Sequence, residues 1–376
     1  MDDSTTELIR QIHASGTRLV LALTGGGSRA IGQLLEIPGG SNSVLEAVVP
    51  YSSAALDAYL GQPPEHYCVE STARLMAMAS FQRGATYAAG FENVAGVGCT
   101  ASLASDRPKR GAHRVHVAVQ TITFTSSVSL ELTKGARSRH DEEALVARLV
   151  LDAVAEACGV ENRLPLELLP DESPCYARTD APQPWQDLLC VRRQAVCHTG
   201  SSAPPRLLFP GAFHPLHEAH REMARLASQR LGDPVAYEIS LENVDKPLLD
   251  YREIAERTKP FSGETLWLTR APTFVEKARL FPGATFIVGV DTIRRMADAK
   301  YYASDPAARD RAIDDLAASG CLFLVFGRLD QGTFHSLDDI PMPPALRAIC
   351  QSVPPKEFRR DISSTQLRQA KRDGLS

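Results

Sequence analysis

The sequence predicts an α/β protein with two domains. Three features lead to this prediction: short apolar runs that alternate with helical patterns in the C-terminal half, a proline-rich segment in the middle, and separate apolar strands and a helix in the N-terminal half. The chain has 376 residues, 44% of them hydrophobic, which is enough for two hydrophobic cores. We place one domain at residues 1–160, a linker at 161–203 and the second domain at 204–376.

Composition limits the classes of partner. The formal net charge is −4 and there is no strongly basic run, which argues against nucleic acid or an anionic membrane as the main partner. No apolar run approaches the roughly 18 residues that a membrane span needs. The eight cysteines are scattered without a C-x-x-C pair, and the first residues are polar and unlike a signal peptide. We therefore expect reduced thiols and a cytoplasmic protein.

The N-terminal half contains recognisable strands and one long helix. The apolar run that ends at Thr24 predicts a buried strand, and glycines 25–27 follow it before a helix. A glycine-rich turn of this kind can cradle phosphate, although such turns are common. Alternating residues at 114–121 predict a half-buried strand. Apolar residues at helical spacing in 142–158 predict a helix that faces a core.

Two histidines and one cysteine in this half are possible functional residues, but the sequence argues against a functional role for them. His113 and His116 lie an odd number of residues apart in a strand pattern, so their side chains are expected on opposite faces and cannot form a metal pair. We predict no metal site. Cys99 is predicted to lie in a loop without an evident base nearby, and we interpret it as a buried, unreactive thiol.

The C-terminal half predicts a parallel sheet with helices on both faces. Within the linker, residues 185–196 are expected to add a short helix and a strand. In chain order the remaining predicted elements are strand 206–209, helix 217–231, strand 235–240, helix 251–258, strand 265–269, helix 273–281, strand 285–290, helix 306–318, strand 321–326 and a last helix that begins at Ser363. Ligands of such sheets bind beyond the carboxyl ends of the strands, where we expect the turn before residue 217 and Asp291.

A first candidate site is the segment Gly211-Ala-Phe-His-Pro-Leu-His217-Glu-Ala-His220, which follows a predicted strand and opens a predicted helix. His217 and His220 are three residues apart and share one face of the first helical turn. Unpaired backbone N–H groups and the helix dipole already favour anions there. Imidazoles at this place can donate to phosphate oxygens, which points to nucleotidyl transfer. The alternative is a pair of capping or surface histidines.

A second candidate site lies near the end of the chain, in Asp361-Ile-Ser-Ser-Thr-Gln-Leu-Arg368. Ser363 is expected to cap a helix, and Ser364, Thr365 and the free N–H groups of the first turn could hold a terminal phosphate. Arg368 would project onto the same helix end and donate to that phosphate. The alternative is an ordinary capped helix with a solvated arginine.

Together the two segments resemble the signatures G-x-F-x-P-x-H-x-x-H and I-S-S-T-x-x-R of the nicotinamide or nicotinate mononucleotide adenylyltransferases. These enzymes belong to the cytidylyltransferase-like superfamily named for its His-x-Gly-His motif, and the resemblance covers about residues 204–376. It includes Lys246-Pro247 and the strand that ends in Gly-Val-Asp291. Two residues depart from the pattern: Ala219 replaces the motif glycine, and His214 replaces the usual acid or amide.

The N-terminal half, over about residues 7–160, resembles the nicotinamide-nucleotide amidase domain of the CinA C-terminal type. The similar segments are Pro38-Gly-Gly-Ser, Val48-Val-Pro-Tyr51-Ser52, Gly96-Val-Gly-Cys-Thr-Ala-Ser102 and the strand at 114–121. The same alignment places Thr24 where the family has its nucleophilic serine and Leu56 where it has a lysine; Tyr51 matches. A hydroxyl needs a nearby base to attack an amide, and leucine cannot exchange a proton. We therefore expect a degenerate amidase site, and interpret Tyr51 as a structural residue of a half-buried strand.

The resemblance implies a Rossmann-like C-terminal domain that transfers AMP from ATP, with Mg²⁺, to the phosphate of a nicotinamide-type mononucleotide. His217 and His220 would hold the triphosphate, and Gly211 and Phe213 would shape the nucleotide site. The β and γ phosphates would be bound by Ser363, Ser364, Thr365 and Arg368. Lys246 and Asp291 are weaker candidates for contacts to phosphate, ribose or the acceptor.

Three alternatives remain open at this point. The same chemistry could act on another pair, such as CTP with a phosphorylated alcohol or ATP with a pantetheine-type phosphate. Both halves could instead bind pyridine nucleotides as a sensor without turnover, or the N-terminal half could retain amidase activity. In every case the expected partners are small-molecule nucleotides. The resemblance also implies, weakly, a homo-oligomer.

Overall fold

A computed structural model describes residues 1–106, 111–243, 247–330 and 333–358. The chain divides into two compact units. The first unit comprises Met1–Cys190 together with Asp245–Ile254, and the second comprises Val191–Val244 and Ala255–Ser376. Each unit contains a sheet combined with helices, so the predicted α/β class is confirmed. Within the described residues, no helix has both the length and the apolar character needed to cross a bilayer.

The first unit is built on a mixed sheet. Its strands are β1 (Arg18–Thr24), β2 (Val44–Val48), β3 (Val94–Ser102), β4 (His113–Gln120), β5 (Phe124–Leu132) and β6 (Cys175–Asp180). Its helices are α1 (Asp3–Ala14), α2 (Arg29–Glu36), α3 (Gly40–Ser43), α4 (Ser53–Leu60), α5 (Glu70–Tyr87), α6 (Arg139–Ala157) and α7 (Gln183–Leu189). The strand order is β2-β1-β3-β4-β5-β6, with β2, β1 and β3 parallel and the pairs from β3 to β6 antiparallel.

The strands and the helix predicted for this half are confirmed. β1 and β4 correspond to the apolar run and the alternating run, and α6 corresponds to the predicted core-facing helix. The apolar residues at helical spacing in α6 face a core, as expected. Leu145, Leu149, Val150 and Val154 are all buried in one core with β1, β3, β4 and β5.

The prediction that Cys99 lies in a loop is wrong, because Cys99 is in the middle of β3. Glycines lower strand propensity, which made Gly96 and Gly98 look like parts of a loop. Their role is a close approach between the strand and helix α5. A Cβ atom at Gly96 would lie 2.1 Å from the carbonyl oxygen of Ala77, and one at Gly98 would lie 2.2 Å from that of Ala73.

Residues 161–203, predicted as a linker, are distributed between the two units and contain three elements. β6 pairs with β5, and α7 buries Trp185, Leu188 and Leu189 in the first unit. The expected short helix and strand at 185–196 correspond to α7 and to β7 (Ala195–Thr199), which belongs to the second unit. The prolines of this segment argue against regular structure in the sequence, so β6 was not predicted. Pro174 and Pro182 lie just outside the strand and do not interrupt it.

The second unit is built on a sheet that is parallel except at one edge. Besides β7, this sheet contains β8 (Leu207–Pro210), β9 (Val235–Ser240), β10 (Thr265–Thr269), β11 (Thr285–Gly289), β12 (Leu322–Phe326) and β15 (Cys350–Val353). Two further strands, β13 (Arg328–Asp330) and β14 (Thr333–His335), pair with each other in a separate antiparallel sheet. The helices of this unit are α8 (Glu218–Leu231), α9 (Tyr251–Thr258), α10 (Phe274–Leu280), α11 (Val290–Ala297), α12 (Pro306–Ala318) and α13 (Pro344–Ala348). The first four residues of α9 belong to the first unit.

The order of this sheet, β15-β12-β11-β8-β9-β10-β7, reverses direction at β8. The chain runs from β8 outward through β9 to β10, and then returns to β11 on the other side of β8. Such a reversal opens a crevice at the carboxyl ends of the two strands beside it, here β8 and β11. The predicted alternation of strands and helices is confirmed. The elements α11, β13, β14, α13 and β15 were not predicted, and the last predicted helix lies outside the described residues.

Replacing Gly96 with Ala is expected to destabilise the first unit by about 1–3 kcal/mol, because the added methyl group would collide with the backbone of α5. Gly32→Ala is the matched control, since Gly32 is exposed in α2 and a Cβ there meets no atom within 4 Å. It should be neutral or stabilising by up to about 1 kcal/mol. Denaturant unfolding of the two variants checks this expectation, and equal effects would contradict it.

Candidate functional site

The first candidate segment forms a turn at the carboxyl end of β8, the reversal point of the sheet. The N–H group of Gly211 donates to the carbonyl oxygen of Glu238 in the neighbouring strand at 2.9 Å. Phe213 adopts a left-handed backbone conformation with φ of 41°. Its ring folds back beneath Gly211, where a Cβ atom would lie 2.7 Å from the ring. Glycine at 211 therefore makes room for the aromatic ring inside the turn.

The Phe213 ring is the support of this turn. It is 3% exposed and makes edge contacts with Phe209, Tyr237, Phe261 and His220, with ring centroids 5.1–5.4 Å apart. Offset and edge-to-face arrangements of this kind are favourable for aromatic pairs. The structure thus places Phe213 in the hydrophobic core under the histidines, and the turn is held from below by packing.

His217 and His220 lie together at the start of α8. His217 is the N-cap residue, and its ring stacks on that of His220 with centroids 3.6 Å apart. The backbone N–H of His217 donates to Nδ1 of His220 at 3.3 Å. Because Nδ1 accepts this hydrogen bond, the proton of a neutral His220 ring resides on Nε2, which leaves Nε2–H as its donor. Ala219 between them is buried, while His214 is exposed.

Both imidazoles favour the neutral form. Burial lowers the pKa of His220 to about 3, and the positive charge that His217 can carry adds to this effect. Burial also lowers the pKa of His217. At neutral pH the pair therefore offers N–H donors to an anion. A phosphate bound at the helix N-terminus would supply the negative charge that favours protonation.

Asp291 lies in the first turn of α11, directly after β11. Its carboxylate accepts from Nη1 of Arg294 at 3.1 Å and from Nη1 of Arg328 at 2.5 Å. β11 is the neighbour of β8, so Asp291 and the histidines follow adjacent strands of one sheet edge. The structure thereby adds two arginines, which were not predicted, to this edge.

The other candidate residues for phosphate binding lie outside the described residues. These are Lys246, Ser363, Ser364, Thr365 and Arg368.

A buried ion pair behind the turn was also missed. Glu238 of β9 is completely buried and accepts from Nζ of Lys277 at 2.7 Å and from the Thr269 hydroxyl. Buried charges of this kind are stable when they are paired and hydrogen-bonded. The signal in the sequence is a single acid in an otherwise apolar strand. The pair joins β9, β10 and α10 below the carboxyl edge.

The degenerate amidase positions of the first unit lie close to the end of β1. The Thr24 hydroxyl is buried and donates to the carbonyl oxygen of Pro50 at 2.9 Å. Leu56 of α4 is buried in a small apolar cluster with Ala22 and Met76. The hydroxyl is therefore engaged by a carbonyl, and position 56 contributes packing. The expectation that Tyr51 lies in a half-buried strand is wrong, since it is 68% exposed in the loop before α4.

The glycine-rich turn after Thr24 is filled by a side chain of the protein itself. The carboxylate of Glu143 accepts from the N–H of Gly27 at 3.0 Å, from the N–H of Arg29 at 3.1 Å and from the hydroxyl of Ser28 at 3.2 Å. These are the donors that a phosphate-binding turn would offer. Glu143 is distant in sequence, so this contact could not be read from the turn alone.

The structure also locates His113, His116 and Cys99, for which no functional role was predicted. His113 contacts Glu142 through Nδ1 at 2.7 Å, and His116 contacts Ser129 on the other face of β4, so their predicted opposite orientation is confirmed. Burial raises the pKa of the Cys99 thiol, which keeps it protonated. All eight cysteines are free. Within the described residues, no cluster of three or more His, Cys, Asp or Glu side chains could hold a metal ion.

No protein-family model matches the sequence, and no curated protein matches it. The chain is similar, over its N-terminal part, to solved structures of the CinA superfamily. CihA, a competence/damage-inducible protein of Agrobacterium tumefaciens, is 21% identical, with 42% of this chain and 97% of that chain covered and a TM-score of 0.35. A CinA superfamily protein of Escherichia coli is 15% identical, with coverage of 41% and 88% and a TM-score of 0.34. A competence or damage-inducible protein of Enterobacter asburiae is 18% identical, with coverage of 42% and 98% and a TM-score of 0.34.

The depressed pKa of His220 predicts a pH-dependent stability. The folded protein keeps the ring neutral, whereas the unfolded chain titrates at about 6.5 and binds more protons below that pH. The contribution of the neutral His220 ring to the free energy of unfolding is therefore fully present above about pH 7. It decreases as the pH falls, by up to about 1.4 kcal/mol per pH unit. We expect His220→Gln to flatten this dependence in denaturant unfolding between about pH 7 and pH 5.

The matched control is His140→Gln, because His140 is exposed at the start of α6. It should keep the pH dependence of the wild-type protein. A slope for His220→Gln as steep as that of the control would show that His220 is protonated in the folded state.

Proposed function

We propose that the second unit is a nucleotidyltransferase, which transfers AMP from ATP to the phosphate of nicotinamide or nicotinate mononucleotide and releases pyrophosphate. The observation that carries this proposal is the stacked, neutral pair of His217 and His220 at the N-terminus of α8. This helix begins at the reversal point of a parallel sheet, the place where such sheets bind nucleotides.

In the proposed reaction an oxygen of the acceptor phosphate attacks the α-phosphorus of ATP and forms a new phosphorus–oxygen bond. The bond from the α-phosphorus to the bridging oxygen breaks, and pyrophosphate leaves with the electron pair. The protein contributes position and charge compensation. Nε2–H of His220, the His217 ring and the free N–H groups of α8 would donate to the phosphate oxygens as negative charge moves onto the leaving group.

Magnesium would enter with the nucleotide. The described part of the chain has no cluster of three or more potential ligand side chains, which fits an ion held chiefly by the phosphate oxygens of ATP. When bound there, Mg²⁺ would neutralise charge on the phosphates. Phosphate contacts by Lys246, Ser363, Ser364, Thr365 and Arg368 remain part of the proposal. The carboxylate of Asp291 would orient Arg294 and Arg328 at the same edge.

A second candidate function is the same reaction on another pair of substrates, or nucleotide binding without turnover. The observation that favours it is Ala219, whose methyl group is buried in the first turn of α8 where the related motif has glycine. The extra methyl group reduces the space next to the two histidines. It could change which base fits or prevent the reacting geometry.

For the first unit we propose a CinA-like domain without amidase activity. The Thr24 hydroxyl donates to Pro50, Leu56 is buried in an apolar cluster, and Glu143 occupies the donors of the glycine-rich turn. A nucleophilic hydroxyl needs a base to receive its proton, and the contact that this hydroxyl makes is a backbone carbonyl. Ammonia release from nicotinamide mononucleotide that is lost in Thr24→Ala would contradict this part of the proposal.

The deciding experiment measures pyrophosphate release by the full chain with Mg²⁺ and either ATP or CTP. The acceptors are nicotinamide mononucleotide, nicotinate mononucleotide, a phosphorylated alcohol and a pantetheine-type phosphate. We expect release with ATP and one of the mononucleotides. His217→Ala and His220→Ala should each reduce kcat by at least about 100-fold, because each removes a donor to the developing charge.

His140→Ala is the control, since His140 is exposed in the first unit, and it should retain full turnover. Thermal unfolding of each variant separates loss of chemistry from loss of fold. Retained turnover in a folded His217→Ala protein would contradict the catalytic role. ATP binding without release for any pair would favour the sensor, and release with CTP alone would favour the second substrate pair.

A further inference from the structure

Lys277 of α10 is a buried lysine in the second unit. It is 5% exposed, and its Nζ donates to Oε1 of Glu238, on β9, at 2.7 Å. Lysine side chains usually place their charge in solvent. A buried ion pair is often no more stabilising than apolar residues of similar size, so stability alone does not explain a charge at this place. The contacts of Glu238 indicate a second role for the pair.

The carboxylate of Glu238 is held through one of its two oxygens. Nζ of Lys277 and the hydroxyl of Thr269, the last residue of β10, both donate to Oε1. Among the described residues, no group donates to Oε2, which is also buried. Without Lys277 the carboxylate would keep a single donor, and an incompletely paired buried charge is costly. The position of the Glu238 side chain therefore depends on Lys277.

The backbone of Glu238 contacts the turn of residues 211–217, which we call the histidine turn. Its carbonyl oxygen accepts from the N–H of Gly211 at 2.9 Å. Glu238 also lies opposite Pro210 in the parallel register of β8 and β9. The two polar groups of this one residue thus connect α10, through the carboxylate, to the first residue of the turn, through the carbonyl.

Tyr237, the preceding residue of β9, contacts the same turn with its side chain. Its ring lies edge-on to that of Phe213 with centroids 5.4 Å apart, and the Phe213 ring contacts His220 at 5.1 Å. Neighbouring side chains of a strand point to opposite faces, so the Glu238 carboxylate and the Tyr237 ring hold β9 from opposite sides. A shift of the β9 backbone at these two residues would displace both Gly211 and the Phe213 ring.

We propose that Lys277 and Glu238 are positioning residues for the histidine turn. Their ion pair fixes the carboxyl end of β9 against α10 and β10, and β9 in turn holds Gly211 by a hydrogen bond and Phe213 by ring packing. All of these residues belong to the second unit. The effect on turnover rests on the proposed nucleotidyl transfer, because a displaced turn would misplace the histidine donors relative to the phosphates.

The test compares Lys277→Met with Arg279→Met in the full chain. Methionine keeps a long apolar side chain and removes the charge. Arg279 lies on the same helix, and its ion pair with Asp315 is on the surface, with the two side chains 71% and 60% exposed. We measure hydrogen exchange of the backbone amides in residues 211–217 and in β12, together with kcat and KM for ATP.

We expect Lys277→Met to increase exchange at 211–217 and to reduce kcat/KM, each by at least about tenfold, and to leave exchange in β12 unchanged. Arg279→Met should change none of these. β12 is separated from β8 by β11, so its amides report on the stability of the sheet as a whole. An equal increase at 211–217 and in β12 would show a purely structural pair and overturns the proposal, as does unchanged exchange at 211–217 in folded Lys277→Met.

Two further variants keep the test decisive. Adding Glu238→Gln to Lys277→Met removes the uncompensated charge, and the amide oxygen can still accept from Thr269. This double variant should regain most of the protection at 211–217, and exchange as fast as in Lys277→Met overturns the proposal. If Lys277→Met does not fold, Thr269→Val removes the other donor to Oε1 and should raise exchange at 211–217 above that of Arg279→Met. The absence of any increase in folded Thr269→Val likewise overturns it.

The kinetic measurement depends on the proposed reaction, but the exchange measurement does not. If the wild-type protein releases no pyrophosphate with any substrate pair, the proposed reaction fails. The comparison of exchange in Lys277→Met and Arg279→Met then decides alone whether the buried pair positions the turn.

Discussion

The packing of the Phe213 ring beneath its own turn is the interaction on which the candidate site depends. The ring needs space under Gly211, a left-handed backbone at its own position, and aromatic neighbours from β8, β9 and the segment after α9. Once these conditions are met, the turn reaches α8 with His217 as N-cap and His220 against the ring. The imidazoles are thus placed largely by hydrophobic packing.

Neutral imidazoles would suit the proposed reaction, in which the site must both bind and release a polyanion. Two permanent cations at the N-terminus of α8 would hold pyrophosphate as strongly as the charged transition state, and uniform binding does not accelerate a reaction. Half-buried rings with depressed pKa values can donate hydrogen bonds without that fixed charge. Arg294 and Arg328 bring positive charge to this edge, and both contact the carboxylate of Asp291.

The sequence predicts most of the elements but few of the contacts. The spacing of apolar residues correctly predicted the alternating strands and helices from β8 to β12. This works because an element that is buried on one face has apolar residues at a regular spacing along the chain. Cys99 was misplaced because Gly96 and Gly98 serve a close helix approach, which only the packed structure reveals. Glu143 in the glycine turn and Asp250 at Arg74 are partners distant in sequence, so no local pattern contains them.

The two units differ in what fills the turn after β1 in the first unit and the turn after β8 in the second. In the first unit the donors of the glycine-rich turn are satisfied by Glu143, and the hydroxyl at Thr24 is bound to Pro50. An anion entering there would have to displace a carboxylate already held by three hydrogen bonds. In the second unit the turn after β8 is stabilised from beneath by aromatic rings. A phosphate would therefore be better accommodated at α8 than at α2, which supports the proposal that the chemistry belongs to the second unit.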